Sequence, residues 1–105
     1  MHEKTVEELK AMMDAGDDFQ LIDVREPYEY EICNLQGELI PVNEIPASIE
    51  KISRTKPVIL QCRSGSRSAR VLMYLEQNHG FTNLYNLAGG ILAWADEIDP
   101  EMPKY

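Results

Sequence analysis

This sequence holds little with which to bind a metal or staple itself together. Two cysteines, Cys33 and Cys62, and two histidines, His2 and His79, are all it has. Neither cysteine belongs to a Cys-x-x-Cys pair, so a Cys/His metal centre lacks ligands, and two cysteines are too few for a disulfide framework. Basic charge is also scarce. Ten Lys and Arg stand against 18 Asp and Glu, a net charge of −8, which argues against nucleic acid or an anionic membrane as partner. No apolar stretch approaches the length of a membrane span, and Met1-His2-Glu3-Lys4 lacks the basic segment and apolar run of a secretory signal. A cytoplasmic protein is expected, with an acidic surface that serves solubility. Repeats, low-complexity tracts and linkers are absent, and 105 residues make about one compact domain. That single domain is expected over 1–105, with a core over about 5–98 and a surface tail over about 99–105.

What is present is an alternation of short β-rich runs and amphipathic segments. Thr5 followed by Glu8 is the reciprocal pattern that satisfies free amides at a helix start. Val6, Leu9, Met12 and Met13 follow at helical spacing, with Gly16 as the stop. Phe19 to Val24 reads as a strand buried on both faces, and Pro27 fits the first turn of a second helix. Gly37 to Val42 reads as a very short strand that Pro41 confines near an edge. From Asn43 to Arg54 the spacing of Ile45, Ile49 and Ile52 predicts a helix with Pro46 in its first turn. Pro57 to Gln61 is the next strand, and Ser66 or Ser68 to Asn78 the best-defined helix. Its end, Asn78-His79-Gly80, marks His79 as a helix-end residue rather than a catalytic base. Leu84 to Leu87 is a further strand, after which Ala88-Gly89-Gly90 turns into Ile91 to Trp94.

Strands alternating with helices at this spacing imply an α/β domain, a parallel sheet with helices on both faces. Sites in such folds form at the carboxyl ends of the strands, where Cys62, Asp23 with Arg25, and Gly89 with Gly90 all fall. Asp23 and Arg25 either line the site or fix their own turn by pairing with neighbours. Gly89 and Gly90 either permit a close backbone approach or simply make a tight turn.

Cys62 carries the most chemical information. It lies between a buried strand and a helix, in Cys62-Arg63-Ser64-Gly65-Ser66-Arg67. Only a thiolate is nucleophilic, and a helix amino end with Arg63 and Arg67 beside it favours that form. The small residues Ser64, Gly65 and Ser66 let successive amides turn inward as an anion-binding nest. Cys33, in Glu31-Ile32-Cys33-Asn34-Leu35, has no such surroundings and reads as a semi-buried bystander.

Three motifs together resemble the single-domain rhodanese family over nearly the whole chain. They are Leu21-Ile22-Asp23-Val24-Arg25-Glu26-Pro27 with Glu29-Tyr30, the loop from Cys62 to Ser68, and Asn86-Leu87-Ala88-Gly89-Gly90-Ile91 with Trp94. The resemblance implies a three-layer rhodanese-like domain with a central parallel sheet of four to five strands. It also implies sulfurtransferase chemistry without a cofactor: sulfane sulfur passes from thiosulfate or a persulfide donor, through a persulfide on Cys62, to a thiol, cyanide or sulfur-carrier protein. It makes Cys62 the nucleophile, Arg63, Ser64, Gly65, Ser66 and Arg67 the substrate contacts, and Asp23, Arg25, Gly89 and Gly90 their support. Cys33 to Glu38 departs from the usual Gly-His-Ile pattern and resembles rhodanese domains fused to activating enzymes of sulfur-carrier pathways, which implies a protein acceptor. The strand usual before the first helix is short or missing.

Two other chemistries fit less well. Phosphate or arsenate chemistry also uses a cysteine cradled by amides, but tyrosine-phosphatase-like loops separate cysteine from arginine by five residues. Here four separate Cys62 from Arg67, which by resemblance suits a cysteine bearing one extra sulfur. A binding module without catalysis is the other alternative. Such domains often lose the cysteine or the loop's small residues, and this chain keeps both.

Overall fold

In the computed structural model, which describes residues 1–105, Thr5 and Glu8 cap the first helix reciprocally. The Thr5 N–H donates to Glu8 Oε1 at 2.8 Å and the Glu8 N–H to Thr5 Oγ1 at 3.1 Å. The helix they start, α1, runs Val6–Asp14, and β1 before it is only Glu3–Lys4. There follow β2 (Gln20–Asp23), α2 (Pro27–Ile32) and β3 (Glu38–Leu39). The second half contains β4 (Val58–Gln61), α3 (Ser66–His79), β5 (Leu84–Leu87) and α4 (Gly90–Glu97).

All strand pairs are parallel, in the order β1-β5-β4-β2-β3. The sheet therefore has five strands: β1 is short but present, with Glu3 beside Asn86 and Lys4 beside Leu87. β3 occupies the other edge, where Pro41 just beyond it costs no ladder bond.

Alternation along β4 sorts the core into two layers. Val58, Leu60 and Cys62 join Val71, Leu72 and Leu75 of α3 in one cluster, while Ile59 faces Val6, Leu9, Leu87 and Trp94 on the side of α1 and α4. That is the period of two expected of a strand covered on both faces. Each fully buried Leu or Ile is worth about 1.5–3 kcal/mol, so the packing that orders β4 also fixes where Cys62 emerges from it.

The segment from Asn43 to Arg54 is not one α-helix. It forms two 3-10 segments, Val42–Ala47 and Ile49–Lys51. Pro46 lies inside the first and has no N–H to donate, and the Ser48 N–H closes the turn on Ile45 O at 2.9 Å. Ile45 and Ile52 are buried all the same. Gly80 ends α3 at φ +67°, in the left-handed region. Residues 99–104 stay at or near the surface, but Tyr105 turns back and is half-buried. No helix is long and apolar enough to cross a membrane.

Candidate active site

β4 delivers Cys62 to the carboxyl edge of the sheet, and the loop folds back so that the Gly65 N–H donates to Cys62 Sγ at 3.0 Å. Gly65 has φ +104° and caps α3, a conformation that a residue with a Cβ rarely adopts. The N–H groups of Ser64, Ser66, Arg67 and Ser68 donate to no acceptor in the protein. They sit at the amino end of a 14-residue helix, where free amides and the dipole favour negative charge. Cys62 itself is 1% exposed, whereas Ser64 and Ser66 are open to solvent.

Two neighbouring elements hold the loop in place. From β5, Asn86 Nδ2 donates to Gly65 O at 3.0 Å, which orients its amide, and Asn86 Oδ1 accepts from Ser68 Oγ at 2.5 Å. Ser68 Oγ also lies 3.3 Å from Cys62 Sγ and from Gly65 O. A hydroxyl has one proton, and the shortest contact assigns it to Asn86. Gly65 N–H is thereby the donor on the sulfur.

From α4, the Ile91 N–H donates to Cys62 O at 3.0 Å and the Leu92 N–H to Arg63 O at 3.1 Å. Gly90, at φ +59°, lies so close that a Cβ there would come within 2.6 Å of Cys62 O and nearer still to Arg63 O. Close backbone approach is therefore the physical reason for a glycine at position 90.

The charged groups form one network beside the loop. Arg25 and Asp23 are both fully buried and paired, Nη2 to Oδ2 at 2.8 Å and Nε to Oδ1 at 3.0 Å. Arg25 also donates to Cys33 O at 2.7 Å and to Tyr105 Oη at 2.8 Å. Burial works against its charge, but the bonds to Asp23 and Tyr105 more than offset that and hold it above the ordinary arginine range. Tyr105 in turn donates to Glu29 Oε2 at 2.7 Å.

Arg67 grips the Glu29 carboxylate with both ends of its guanidinium, which lowers the Glu29 pKa to about 2 despite burial. Glu29 reciprocally holds Arg67 above its usual range. Burial, with Glu29 beside it and Arg25 opposing, pushes Tyr105 up to about 12. Arg63 differs from Arg67: it has no carboxylate partner, its Nε is unpaired, and its guanidinium lies 5.0 Å from the Tyr105 ring centroid.

The residues singled out in the sequence thus meet at one end of the sheet. Cys62 to Arg67 form the cradle, Gly89 and Gly90 pack beneath it, and Asp23 and Arg25 form a buried pair beside it rather than an open wall. Cys33 is buried at 8% exposure and contributes its carbonyl to Arg25. His79 closes α3, its Nε2 3.1 Å from Tyr74 Oη. Glu29, Ser68, Asn86 and Tyr105 join the site without having been expected there from the sequence. Asn86 left a signal, a polar residue inside the run Leu84-Tyr85-Asn86-Leu87; Tyr105 left none.

Known proteins share this fold. A family model described as the rhodanese-like domain matches residues 5–97. MoeZ of Mycobacterium tuberculosis, provisionally named an adenylyltransferase/sulfurtransferase, is 36% identical over 96% of this chain. The match is 26% of MoeZ, so this chain spans about a quarter of that relative's length. YtwF of Bacillus subtilis, provisionally named a sulfurtransferase, is 37% identical over 89% of this chain and 89% of its own. The crystal structure of SSP1007 from Staphylococcus saprophyticus is similar with a TM-score of 0.82 at 34% identity, over 93% of this chain and 97% of that one. By its family-model match, its relatives and its five-stranded parallel sheet, the chain belongs to the rhodanese-like domain family.

Proposed function

We propose that this chain is a sulfurtransferase that carries sulfane sulfur on Cys62. One observation carries the reading most: Cys62 Sγ accepts an N–H from Gly65 among loop amides that have no other acceptor, at the start of α3. Such a cradle stabilises a sulfur anion, both as the attacking thiolate and as the persulfide it becomes. The sulfurtransferase names of YtwF and MoeZ support sulfur transfer in general.

In the first step the Cys62 thiolate attacks the outer sulfur of thiosulfate. A Cys62–sulfur bond forms, the S–S bond of thiosulfate breaks, and its electron pair leaves with sulfite. The loop amides hold the outer sulfur. Of the two loop arginines, Arg63 is the cation free to meet the leaving anion, because Arg67 is committed to Glu29. In the second step cyanide or a thiolate, of a small molecule or of a sulfur-carrier protein, attacks the outer sulfur, the Cys62–sulfur bond breaks, and its electron pair returns to Cys62 Sγ. A persulfide donor reacts in the same way as thiosulfate. Neither step needs a cofactor or a metal, and a reducing cytoplasmic setting, rich in thiols, suits both.

Intact-mass measurement after incubation with thiosulfate tests the reading. The wild type should gain one sulfur atom, Cys33→Ser should gain it too, and Cys62→Ser should not. A wild type that takes up no sulfur, as a binding module would behave, overturns the proposal, and so does the same gain in Cys62→Ser.

A further inference from the structure

A cleft of about 340 Å³ opens between the first 3-10 segment and α3, beside the cradle but not part of it. Its floor is apolar, from Val42, Ile45, Pro46, Val71 and Tyr74. Val42 donates its N–H to Val24 O, just past β2, and packs against the cluster that contains Cys62. Two arginines border the cleft, and they differ. Arg67, nearest the loop, is tied to Glu29. Arg70, one turn further along α3 and so about 4.5 Å along its axis, is exposed and has no carboxylate or carbonyl partner. On a chain of net charge −8, an unpaired cation over an apolar floor marks a place where an anion with a hydrocarbon body is favoured.

We infer that this cleft is the acceptor site of the sulfur-transfer reaction, and that the acceptor it fits is a low-molecular-weight organic thiol with a hydrocarbon body and a carboxylate. The inference rests on the sulfurtransferase reading above. The hydrocarbon lies on Val42, Ile45, Val71 and Tyr74, the carboxylate pairs with Arg70, and the thiol end points past Val42 toward the loop. The volume lies near the lower limit for small-molecule pockets, which suits one short chain rather than a folded partner. An inorganic donor has no use for the floor, since its charge is met by the loop amides and Arg63, so the cleft serves the second step and not the first.

Loading moves the reactive atom outward: the added sulfur stands about 2.05 Å beyond Sγ, which brings it closer to a thiol than the buried Sγ is. In the transfer, the acceptor thiolate forms a new S–S bond with that outer sulfur. The Cys62–sulfur bond breaks and its electron pair returns to Sγ. The outer sulfur becomes the acceptor's persulfide, with no net oxidation.

Single-turnover transfer from the loaded wild type tests the inference, with the sulfur followed by intact mass. The probes are 2-mercaptoethanol, 6-mercaptohexanol and 6-mercaptohexanoate, compared at equal thiolate concentration. The longer alcohol should react at least tenfold faster than the shorter one, because each buried methylene is worth up to about fourfold. The carboxylate should add a further factor of about two to five. In Arg70→Glu the ratio of hexanoate to hexanol rates should drop below one, and in Val71→Thr the ratio of hexanol to ethanol rates should fall. Ratios taken within one variant cancel any general loss of activity. Loading followed by flat ratios in the wild type, or an unchanged hexanoate preference in Arg70→Glu, overturns the cleft assignment alone. Failure of Cys62 to load overturns the sulfurtransferase reading and the acceptor site with it.

Discussion

The carboxylate of Glu29 receives both ends of the Arg67 guanidinium, at 2.7 and 2.8 Å, across 38 positions of sequence. The pair ties α2 to the first turn of α3 and so fixes one side of the Cys62 loop. It also commits Arg67 to a carboxylate, leaving Arg63 as the loop arginine without one. Glu29 is 4% exposed and Arg67 28%, so the pair is shielded enough to matter and open enough that screening reduces its worth.

The pH dependence of stability follows from this pair. The Glu29 pKa is lowered from 4.5 to about 2, chiefly by its bonds to Arg67. A carboxylate with a depressed folded-state pKa stabilises the fold fully above the unfolded value, and that contribution is lost as pH falls from about 4.5 through 2. Glu29→Gln should therefore be about 1–3 kcal/mol less stable than wild type at pH 7, with the difference closing in acid. Denaturant titrations at pH 7, 4 and 2.5 measure it; a difference that does not change with pH contradicts the assignment.

Gly90 and Gly16 both have positive φ, but only Gly90 faces another backbone. A Cβ at Gly16 meets nothing within 4 Å, whereas one at Gly90 meets the carbonyls of Cys62 and Arg63. Gly16→Ala should cost only the conformational strain, about 1 kcal/mol. Gly90→Ala must in addition push α4 from the loop. Its sulfur loading from thiosulfate should fall by about 100-fold, in line with the sensitivity of reacting groups to displacements near 1 Å. Equal loading by the two variants would show that α4 does not position the loop.

Much of the fold is legible in the sequence because short-range rules act there. The Thr5 and Glu8 cap, the Gly80 stop and the period-two alternation around Cys62 each depend on residues a few positions apart. The segment from Asn43 to Arg54 misleads because its isoleucines have helical spacing, while Pro46 and the turn at Ser48 break the ladder into two 3-10 pieces. At the site, Cys62 and its loop are legible as a motif. Their supports are not: Glu29 with Arg67, Ser68 with Asn86, and Tyr105 with Arg25 are pairings between distant positions. Nothing in a single chain's periodicity encodes which buried polar group meets which.

Tyr105 bridges Arg25 and Glu29, accepting from one and donating to the other. Tyr105→Phe keeps the ring beside Arg63 and deletes both bonds, so stability should drop by about 1–3 kcal/mol. The tyrosine pKa is raised to about 12, with burial the leading cause. Its contribution is therefore present below pH 10 and lost as pH rises through 12. A spectroscopic titration should find a tyrosine ionising near pH 12 in the wild type, and that transition should be missing from Tyr105→Phe. Coincident titration curves would contradict the bridge.

Ser68 and Asn86 are joined by the shortest polar contact in the site, 2.5 Å, and this bond stands next to the sulfur. Both residues are almost fully buried, at 0% and 3% exposure, so a bond lost here is not replaced by bulk water. Ser68→Ala leaves Asn86 Oδ1 without its donor, and Asn86→Ala turns the Ser68 proton to a longer contact and leaves Gly65 O with the Ala69 N–H but without Asn86 Nδ2. Each single change should cost about 1–3 kcal/mol. Because both changes delete the same bond, the double variant should cost less than the sum, with a coupling of about 0.5–3 kcal/mol. Loading should separate the two. Ser68→Ala retains the Gly65 N–H on Sγ and the Asn86 bond to Gly65 O, whereas Asn86→Ala loosens Gly65 itself, so only the latter should slow sulfur uptake by about tenfold or more. Additive stability losses, or equal loading rates in the two single variants, would place the proton of Ser68 on the sulfur rather than on Asn86.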